Sequence, residues 1–363
     1  MGICLSSEPL EKQESDENIV CVVEEDEFGY GEGEVRMLAS LYSRQGKKGP
    51  NQDAAILCTG YGMEEGVFCG VFDGHGRNGH IVSRLVRDYL PSLLLRQRNA
   101  LLLAEEESDD SSDGTDASSV DADDSSLSSP ETFDEWKAVF IQAFRVMDKE
   151  LKLQPNLDFS FSGTTAVSII KQGKDLIIAN LGDSRAIMGT ISEEGRHEAM
   201  QLTTDLKPCV PKEAARIRKN NGRIFALKDE PHTQRVWLPN DNYPGLAMAR
   251  AFGDFQLKDY GVISIPQVSY RRLSERDQFI VLATDGVWDV LSNERVVSIV
   301  WSAESKEDAS KALVEAAVRA WRSKFPTSKV DDCSAACLFL QDRWQGLMIP
   351  RVKKASNFCA FGA

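Results

Sequence analysis

The sequence lacks the cysteine and histidine pairs that build most zinc sites. Its eight cysteines include no C-x-x-C pair, and only four histidines occur in 363 residues. A Cys/His zinc site would therefore need ligands that are mostly far apart along the chain. The pattern argues against a zinc-binding module.

Long hydrophobic runs are also absent. The most apolar segment, around Leu93–Leu95 and Leu101–Leu103, is interrupted by Arg96 and Arg98. It is far shorter than the roughly 20 apolar residues of a membrane-spanning helix. We therefore expect no transmembrane segment, and no signal peptide either, because the N-terminus becomes acidic at Glu8.

Basic residues are scarce in two segments of the chain. The first 35 residues hold 11 acidic residues and one lysine, and residues 105–130 hold ten acidic residues and no basic one. Each segment has a net charge of −10, so the rest of the chain, whose total is −14, has +6. The acidic balance therefore belongs to these two segments, and nothing indicates a nucleic-acid partner.

The same two segments suggest the domain limits. They have few large apolar side chains and cannot bury enough surface to offset the entropy of ordering. We therefore predict an acidic N-terminal arm over 1–35, a folded domain over 36–342 with a disordered insert over 105–130, and a C-terminal tail over 343–363. The insert contains nine serines among its acids, which suits acid-directed kinases as partners, although a linker without function explains it equally well.

Apolar periodicity predicts strands that cluster with strands, and helices that lie between these clusters. Three β-rich runs over 164–190 predict an antiparallel meander. The pattern favours an α+β fold in which two packed antiparallel β-sheets are flanked by helices, an α-β-β-α sandwich, over a wound parallel sheet. The predicted helices cover 81–89, 136–151, 211–220 and 309–321, and further strands cover 66–72, 278–286 and 334–340.

Aspartates recur at the ends of the apolar strands, namely Asp53, Asp73, Asp183, Asp285 and Asp331. One aspartate at a strand end is usually a turn residue. Five that meet at one rim of a sheet would repel one another unless cations neutralised them. Oxygen ligands without cysteine favour Mg²⁺ or Mn²⁺ over zinc. The sequence therefore predicts a magnesium or manganese site at one end of the sandwich, suited to phosphoryl hydrolysis.

Seven short motifs occur in order over about 270 residues. They are 70-GVFDGHG-76, 162-SGTTA-166, 180-NLGDSRA-186, 203-TTDLKP-208 with 213-EAARI-217 and 222-GRI-224, 245-GLAMARAFGD-254, 283-ATDGVWDV-290 and 331-DDCSAACL-338. Together they resemble the motifs of the metal-dependent type 2C protein serine/threonine phosphatases, in particular the plant members. Seven motifs in order are far more specific than a lone D-G-H-G.

The resemblance implies two metal ions at the end of the sandwich and phosphoserine or phosphothreonine in proteins as the substrate. Asp73 would bridge both ions and the carbonyl of Gly74 would ligate one of them, while Asp285 and Asp331 would complete the other. A water between the ions would attack phosphorus without a phosphoenzyme. His75 would be the general acid that protonates the leaving oxygen.

The resemblance also assigns two outer groups. Asp183 and Asp289 match the pair that holds a weaker third ion in this family. Lys48 stands where animal and bacterial members carry an arginine that grips the substrate phosphate, and Gln52 replaces an acid beside it. Lysine keeps the charge but loses the bidentate fork, so phosphate binding is expected to be less fixed in geometry.

The predicted function is metal-dependent hydrolysis of phosphoserine and phosphothreonine in signalling proteins, by a monomer. The alternative from another class is a pseudophosphatase, which binds phosphoproteins without turnover, and the residues at Lys48 and Gln52 are its support. A second alternative is a hydrolase of small phosphate esters. All the predicted direct ligands are present, which favours the active protein phosphatase.

The first six residues, 1-MGICLS-6, fit the M-G-x-x-x-[ST] pattern for myristoylation of Gly2, and Cys4 beside it is a candidate for palmitoylation. One myristoyl chain gives only marginal membrane binding, and the acidic arm contains no basic patch, so Cys4 would supply the second signal. We therefore predict a lipid-anchored, peripheral protein of the cell membrane. A cytoplasmic or nuclear pool would form when Cys4 is deacylated.

Overall fold

The computed structural model describes residues 4–6, 17–24, 36–109 and 131–341. Within these ranges the strands, numbered in chain order, are β1 Cys4–Ser6, β2 Glu17–Glu24, β3 Arg36–Arg44, β4 Asp53–Thr59, β5 Val67–His75, β6 Gly163–Thr164, β7 Ala166–Gln172, β8 Asp175–Leu181, β9 Arg185–Ile191, β10 His197–Gln201, β11 Arg223–Ala226, β12 Gln234–Trp237, β13 Pro244–Leu246, β14 Phe252–Gly253, β15 Gln267–Arg272, β16 Asp277–Ala283 and β17 Cys333–Phe339. The helices are α1 Gly79–Asp109, α2 Glu131–Lys152, α3 Pro211–Lys219, α4 Phe255–Lys258, α5 Asp285–Trp288, α6 Asn293–Trp301 and α7 Ala309–Lys324.

Two antiparallel sheets form the centre of the fold. The first has the strand order β1-β4-β5-β7-β8-β15, with the short strands β6 and β14 attached at the end of β5. The second has the order β10-β9-β16-β17-β3-β2. Residues from the inner faces of both sheets form one buried cluster, which includes Val71 and Ile169 from the first sheet and Ile280 and Ala336 from the second.

Helices cover the outer face of each sheet. Two long helices, α1 and α2, pack on the first sheet, and the stripe predicted on α2 from Trp136 to Leu151 lies in that core. Helices α5, α6 and α7 pack on the second sheet, where Leu313 and Trp321 are buried. The order helix, sheet, sheet, helix confirms the predicted α+β sandwich.

The meander predicted over 164–190 is wrong in its third strand. β7 and β8 pair as expected, but β9 lies in the other sheet, between β10 and β16. The other edge of β8 is already occupied by β15, which pairs with it from Asn180 to Asp175. The chain therefore crosses between the sheets at Gly182, whose φ of 107° suits glycine.

The prediction of an arm without regular structure is wrong for two stretches of the N-terminal segment. β2 pairs with β3 along its whole length, and β1 pairs with β4. The prediction was based on the acidic composition of the whole segment and overlooked the run from Ile19 to Val23, which is rich in the β-branched residues that favour strands. The remaining residues of the predicted arm lie outside the described ranges.

The boundary predicted for the insert is also too early, because α1 continues to Asp109. Residues 101–107 are leucine, alanine and glutamate, which are strong helix formers. The rest of the insert, the end of the folded domain at residue 342 and the tail at 343–363 lie outside the described residues, so these domain limits stay predictions. None of the helices in the described part of the chain combines the length and the apolar character needed to cross a bilayer.

Candidate metal and catalytic site

The predicted acids meet at one end of the sandwich because antiparallel strands alternate in direction. β5 ends just after Asp73, and Asp53 lies opposite Asp73 at the start of β4. Asp183 follows the end of β8. From the second sheet, Asp285 follows β16 and Asp331 precedes β17. Both sheets therefore contribute to what we call the carboxylate rim, which is formed by these five aspartates with Asp289 and Asp332.

The rim acids are close enough to alter one another's ionisation. Burial raises the pKa of Asp73 well above its usual range, and the charges of Asp285 and Asp53 raise it further. Burial and then the charge of Asp285 raise the pKa of Asp183 to about 7. So many buried acids are costly to keep charged unless cations join them.

The donor chemistry of the rim fits a hard divalent cation. Its side-chain donors are carboxylate oxygens, which Mg²⁺ and Mn²⁺ prefer. Oδ1 of Asp183 is buried and has no hydrogen-bond partner, so it is available as a ligand. Across the described ranges, no three His, Cys, Asp or Glu side chains already form a closed ligand set. The acids must therefore adjust to hold an ion, and their assignment as ligands stays a prediction.

Two lysines neutralise part of the rim charge in the structure. Lys48 Nζ donates to Oδ2 of Asp331. Lys207 Nζ lies 3.8 Å from Asp183 Oδ2 and 3.9 Å from Asp289 Oδ1. Burial alone would lower the pKa of Lys48, but the charge of Asp331 and the hydrogen bond to it raise that pKa overall.

The structure thus places Lys48 at the rim but against Asp331. Its side chain is 54% exposed, so it remains accessible to an incoming phosphate. The loop that carries it is fixed by Asp332, whose carboxylate accepts from the backbone N–H groups of Gly46 at 2.7 Å and Gln52 at 2.9 Å. Sequence reasoning missed this anchoring role of Asp332.

Gly74 occupies a position with no room for a side chain. A Cβ there would lie 2.4 Å from the carbonyl oxygen of Gly79 and 2.6 Å from that of Gln52. The Gly74 N–H donates to that same Gln52 oxygen at 3.1 Å. The backbone beside Asp73 is therefore held tightly against the start of α1.

His75 has a partner that sequence reasoning did not assign. Its Nε2 lies 2.6 Å from Oδ2 of Asp254, which is 1% exposed. A carboxylate only accepts hydrogen bonds, so Nε2 carries the proton of this bond. Burial alone would lower the pKa of His75, but the charge of Asp254 and the hydrogen bond to it raise that pKa overall. The histidine is therefore biased toward its protonated form.

Strand pairing brings these two residues together. His75 pairs with Gly163 in β6, and Gly163 pairs with Gly253 in β14, immediately before Asp254. A Cβ on Gly163 would lie 2.4 Å from Asp254 Oδ2 and 2.8 Å from His75 Nε2. Asp254 itself has the left-handed φ of 49°, which is uncommon outside glycine. The motifs 162-SGTTA-166 and 251-AFGD-254 contain the residues that bring His75 and Asp254 together. The contact between these two residues becomes evident only from the pairing of β5, β6 and β14.

Trp237 is the last residue of β12, in the small third sheet β11-β12-β13. It is 4% exposed and stacks on Phe225 within the small sheet β11-β12-β13. Its indole N–H donates to the carbonyl of Phe225 at 3.0 Å. Trp237 is therefore a core residue of this sheet. Of the two predicted lipidation residues, Gly2 lies outside the described ranges, and the backbone of Cys4 pairs with that of Cys58.

Comparisons with known proteins identify a family that this chain resembles over most of its length. The family model "Protein phosphatase 2C" matches residues 45–323, well over half of the chain. "Probable protein phosphatase 2C 12" from rice is 60% identical over 364 residues, which cover 95% of this chain and 93% of the relative. "Probable protein phosphatase 2C 72" from Arabidopsis thaliana is 50% identical over 353 residues, which cover 95% of this chain and 99% of the relative.

A solved structure supports the fold. The crystal structure of a serine-threonine phosphatase 2C from Toxoplasma gondii superposes with a TM-score of 0.70 and covers 89% of this chain and 99% of that one. Its sequence identity is 24%, so it speaks to the architecture alone.

Proposed function

We propose that this chain, which belongs to the protein phosphatase 2C family, hydrolyses phosphoserine and phosphothreonine in proteins. The observation that carries the proposal is the convergence of Asp73, Asp285 and Asp331 from both sheets on one rim beside His75. A pseudophosphatase has no need for buried acids that raise one another's pKa. Such acids are a cost to the fold unless they serve a reaction.

The predicted ligands form two groups, one for a pair of metal ions and one for a weaker third ion. Asp73, the Gly74 carbonyl, Asp285 and Asp331 would hold two Mg²⁺ or Mn²⁺ ions, and Asp183 with Asp289 would hold a weaker third ion. Ions bound there would lower the pKa of a bound water and offset the charge of the phosphate.

The chain's own residues supply the proton for the leaving group. Asp254 holds His75 through Nε2, which orients the ring and stabilises the imidazolium. Nδ1 of His75 has no hydrogen-bond partner. We therefore place the proton that is donated to the departing serine or threonine oxygen at Nδ1. Lys48 lies across the rim and would bind the phosphate as a point charge.

The direct test measures phosphate release from a phosphothreonine peptide by purified protein with Mn²⁺. We expect release that stops when a chelator is added. No release with Mn²⁺, or equal release with the chelator, would favour the pseudophosphatase. Free nucleotide and small phosphate esters serve as comparison substrates, and faster turnover of these would favour the small-ester hydrolase.

The proposed role of His75 has its own test. His75→Gln should slow phosphothreonine hydrolysis by on the order of 100-fold, because a poor leaving group needs a proton. Hydrolysis of an aryl phosphate should slow far less, since a phenolate leaves readily. Equal losses on both substrates would contradict the assignment of His75 as general acid.

We also propose that the protein is anchored at the cell membrane through acyl chains on Gly2 and Cys4, with a cytoplasmic or nuclear pool after deacylation of Cys4. Its partners there would be phosphorylated proteins and kinases that act on the acidic insert, and the enzyme would be a monomer. The pattern 1-MGICLS-6 supports the anchor.

Fractionation of cells that express the full chain tests the anchor. Gly2→Ala and Cys4→Ser should both move to the soluble fraction. Cys209→Ser is the matched control, because Cys209 is a free and exposed cysteine of the described part of the chain, and it should stay with membranes. A Gly2→Ala protein that stays with membranes would refute the anchor.

A further inference from the structure

Lys207 lies between the two acids that are predicted to hold the third ion. Its Nζ is 3.8 Å from Asp183 Oδ2 and 3.9 Å from Asp289 Oδ1. The Asp183 side chain is 2% exposed, whereas those of Lys207 and Asp289 are 36% and 42% exposed. The ammonium group therefore stands at the outer side of a buried carboxylate, in the space between the two acids.

The backbone around Lys207 is fixed to the same strand end that presents Asp183. The N–H of Leu206 donates to the carbonyl of Gly182 at 2.9 Å, and the side-chain amide of Asn180 donates to the carbonyl of Thr204 at 2.8 Å. Ala249 N–H donates to the carbonyl of Leu206 at 2.8 Å from the other side. The fold therefore sets the backbone position from which the Lys207 side chain reaches the two acids.

Lys207 neutralises this pair of acids without completing their hydrogen bonds. At 3.8 Å the ammonium is beyond hydrogen-bond distance from Asp183 Oδ2. The other oxygen, Oδ1, is buried and has no partner. A small cation that bound both acids could use these free oxygen positions, whereas the ammonium group supplies charge alone.

We infer that Lys207 is a tethered cation that competes with a divalent ion for Asp183 and Asp289, and that it keeps the third-ion site weak. An ion that binds there must displace the ammonium or bind beside it. Repulsion between the ammonium group and an ion held a few ångströms away is partly screened at this half-exposed position, and we expect it to weaken ion affinity about tenfold.

The inference rests on the proposed function for the identity of the ion, but it concerns metal binding and not turnover. The first measurement is therefore a titration of the full-length protein with Mn²⁺, followed by calorimetry and by the electron paramagnetic resonance signal of free Mn²⁺. Lys207→Met should tighten the weakest ion site about tenfold and leave the tighter sites within about twofold. Lys212→Met, which changes an exposed lysine in the first turn of α3, is the matched control and should leave all sites unchanged.

A second measurement guards against a folding defect. In chelator, Lys207→Met should melt at a lower temperature than the wild type, because two acids lose their counter-charge. In saturating Mn²⁺ this deficit should shrink or reverse, so the melting shift between chelator and Mn²⁺ should be larger for the variant. A residue with a structural role alone would lower both melting temperatures equally.

The outcomes separate this inference from the proposed function. A tighter third site in a protein that hydrolyses nothing would support the role of Lys207 and overturn the proposed function. Normal turnover with an unchanged or weaker third site in Lys207→Met would overturn the role of Lys207 and leave the proposed function in place. The absence of any third Mn²⁺ in both proteins would also overturn the inference.

Discussion

Two regions of the molecule bury acids in opposite ways. At the carboxylate rim, burial and neighbouring acids raise the pKa of Asp73 and Asp183. Beside α3, Glu213 is 2% exposed, and its carboxylate accepts from both Nη2 of Arg250 at 2.6 Å and Nη1 of Arg216 at 2.7 Å. Burial would raise the pKa of Glu213, but the bonds and charges of Arg250 and then Arg216 lower it overall.

The opposite directions of these pKa shifts distinguish an acid that stabilises the fold, Glu213, from the rim acids, whose burial costs the fold stability. Glu213 ties α3 to the segment before β14 through Arg250, and its charge is matched by two guanidinium groups. The rim acids outnumber the two lysines near them, so part of their charge stays unmatched until another cation arrives. A buried acid with complete partners points to structure, and a crowded set with incomplete partners points to chemistry.

The largest expected effect is on turnover at the rim. Asp73→Asn, Asp285→Asn and Asp331→Asn should each reduce metal-dependent phosphate release to less than about a tenth of the wild-type rate. Each variant should stay folded, and in chelator it should melt at or above the wild-type temperature, because the change removes repulsion. Phosphate assays and thermal melting measure both results. A variant that keeps its activity is not a direct ligand, and one that unfolds would erase the contrast with Glu213.

The next effect is on stability at Glu213. Glu213→Gln should lower the free energy of unfolding by about 3 kcal/mol, because it leaves the partly buried Arg216 and Arg250 without their counter-charge. Urea denaturation followed by circular dichroism measures the loss. Glu193→Gln, at a side chain that is 83% exposed, is the control and should change stability by less than about 0.5 kcal/mol. Equal effects for the two variants would show that Glu213 is no better paired than a surface acid.

The pH dependence should follow from the same contrast. The pKa of Glu213 is lower in the folded chain than the value of about 4.3 expected in the unfolded chain. Its contribution is therefore fully present above the unfolded value and is lost as the pH falls through the lower folded value. The stability difference between wild type and Glu213→Gln should be constant from pH 6 to 8 and should narrow below about pH 4. A difference that widens in acid would reverse the sign and contradict the pairing.

The smallest effect on stability is expected for the acids of residues 110–130, because that segment has few large apolar side chains that could join a core. Replacing residues 110–130 with a Gly/Ser linker of equal length should change the free energy of unfolding by less than about 0.5 kcal/mol and leave turnover unchanged. Only Val120 and Leu127 in that segment are large and apolar. A large loss of stability would mean that this acidic stretch belongs with the folded domain.

The sequence was sufficient for the residues that ordinary strand geometry brings together. Asp73 lies near the end of one buried strand, Asp285 follows another and Asp331 precedes a third, so local patterns place all three at strand ends. The partners of these residues were harder to find. Asp254, Asp332 and Lys207 each lie far along the chain from the residue they contact, and each depends on a pairing or loop path that local periodicity does not encode.

The errors have the same origin. The meander prediction is wrong beyond Gly182 because the free edge of β8 pairs with β15, a strand almost a hundred residues later in the chain. The N-terminal strand β2 was missed because composition outweighed a short β-branched run. Local patterns identify elements well, but the choice of a strand's neighbour is a competition among the whole set of strands.

The geometry of the carboxylate rim depends on how the two sheets are aligned with each other. Thr284 after β16 donates to Asp53 in β4 at 2.9 Å, and Gln52 before β4 donates to Asp332 before β17 at 2.9 Å. Both bonds cross from one sheet to the other, whereas the ladders within each sheet would survive a sliding motion between them. A slip of one strand position is about 3.3 Å, enough to break both crossing bonds and separate the acids. A slip between the sheets should therefore weaken metal binding while the secondary structure is still intact.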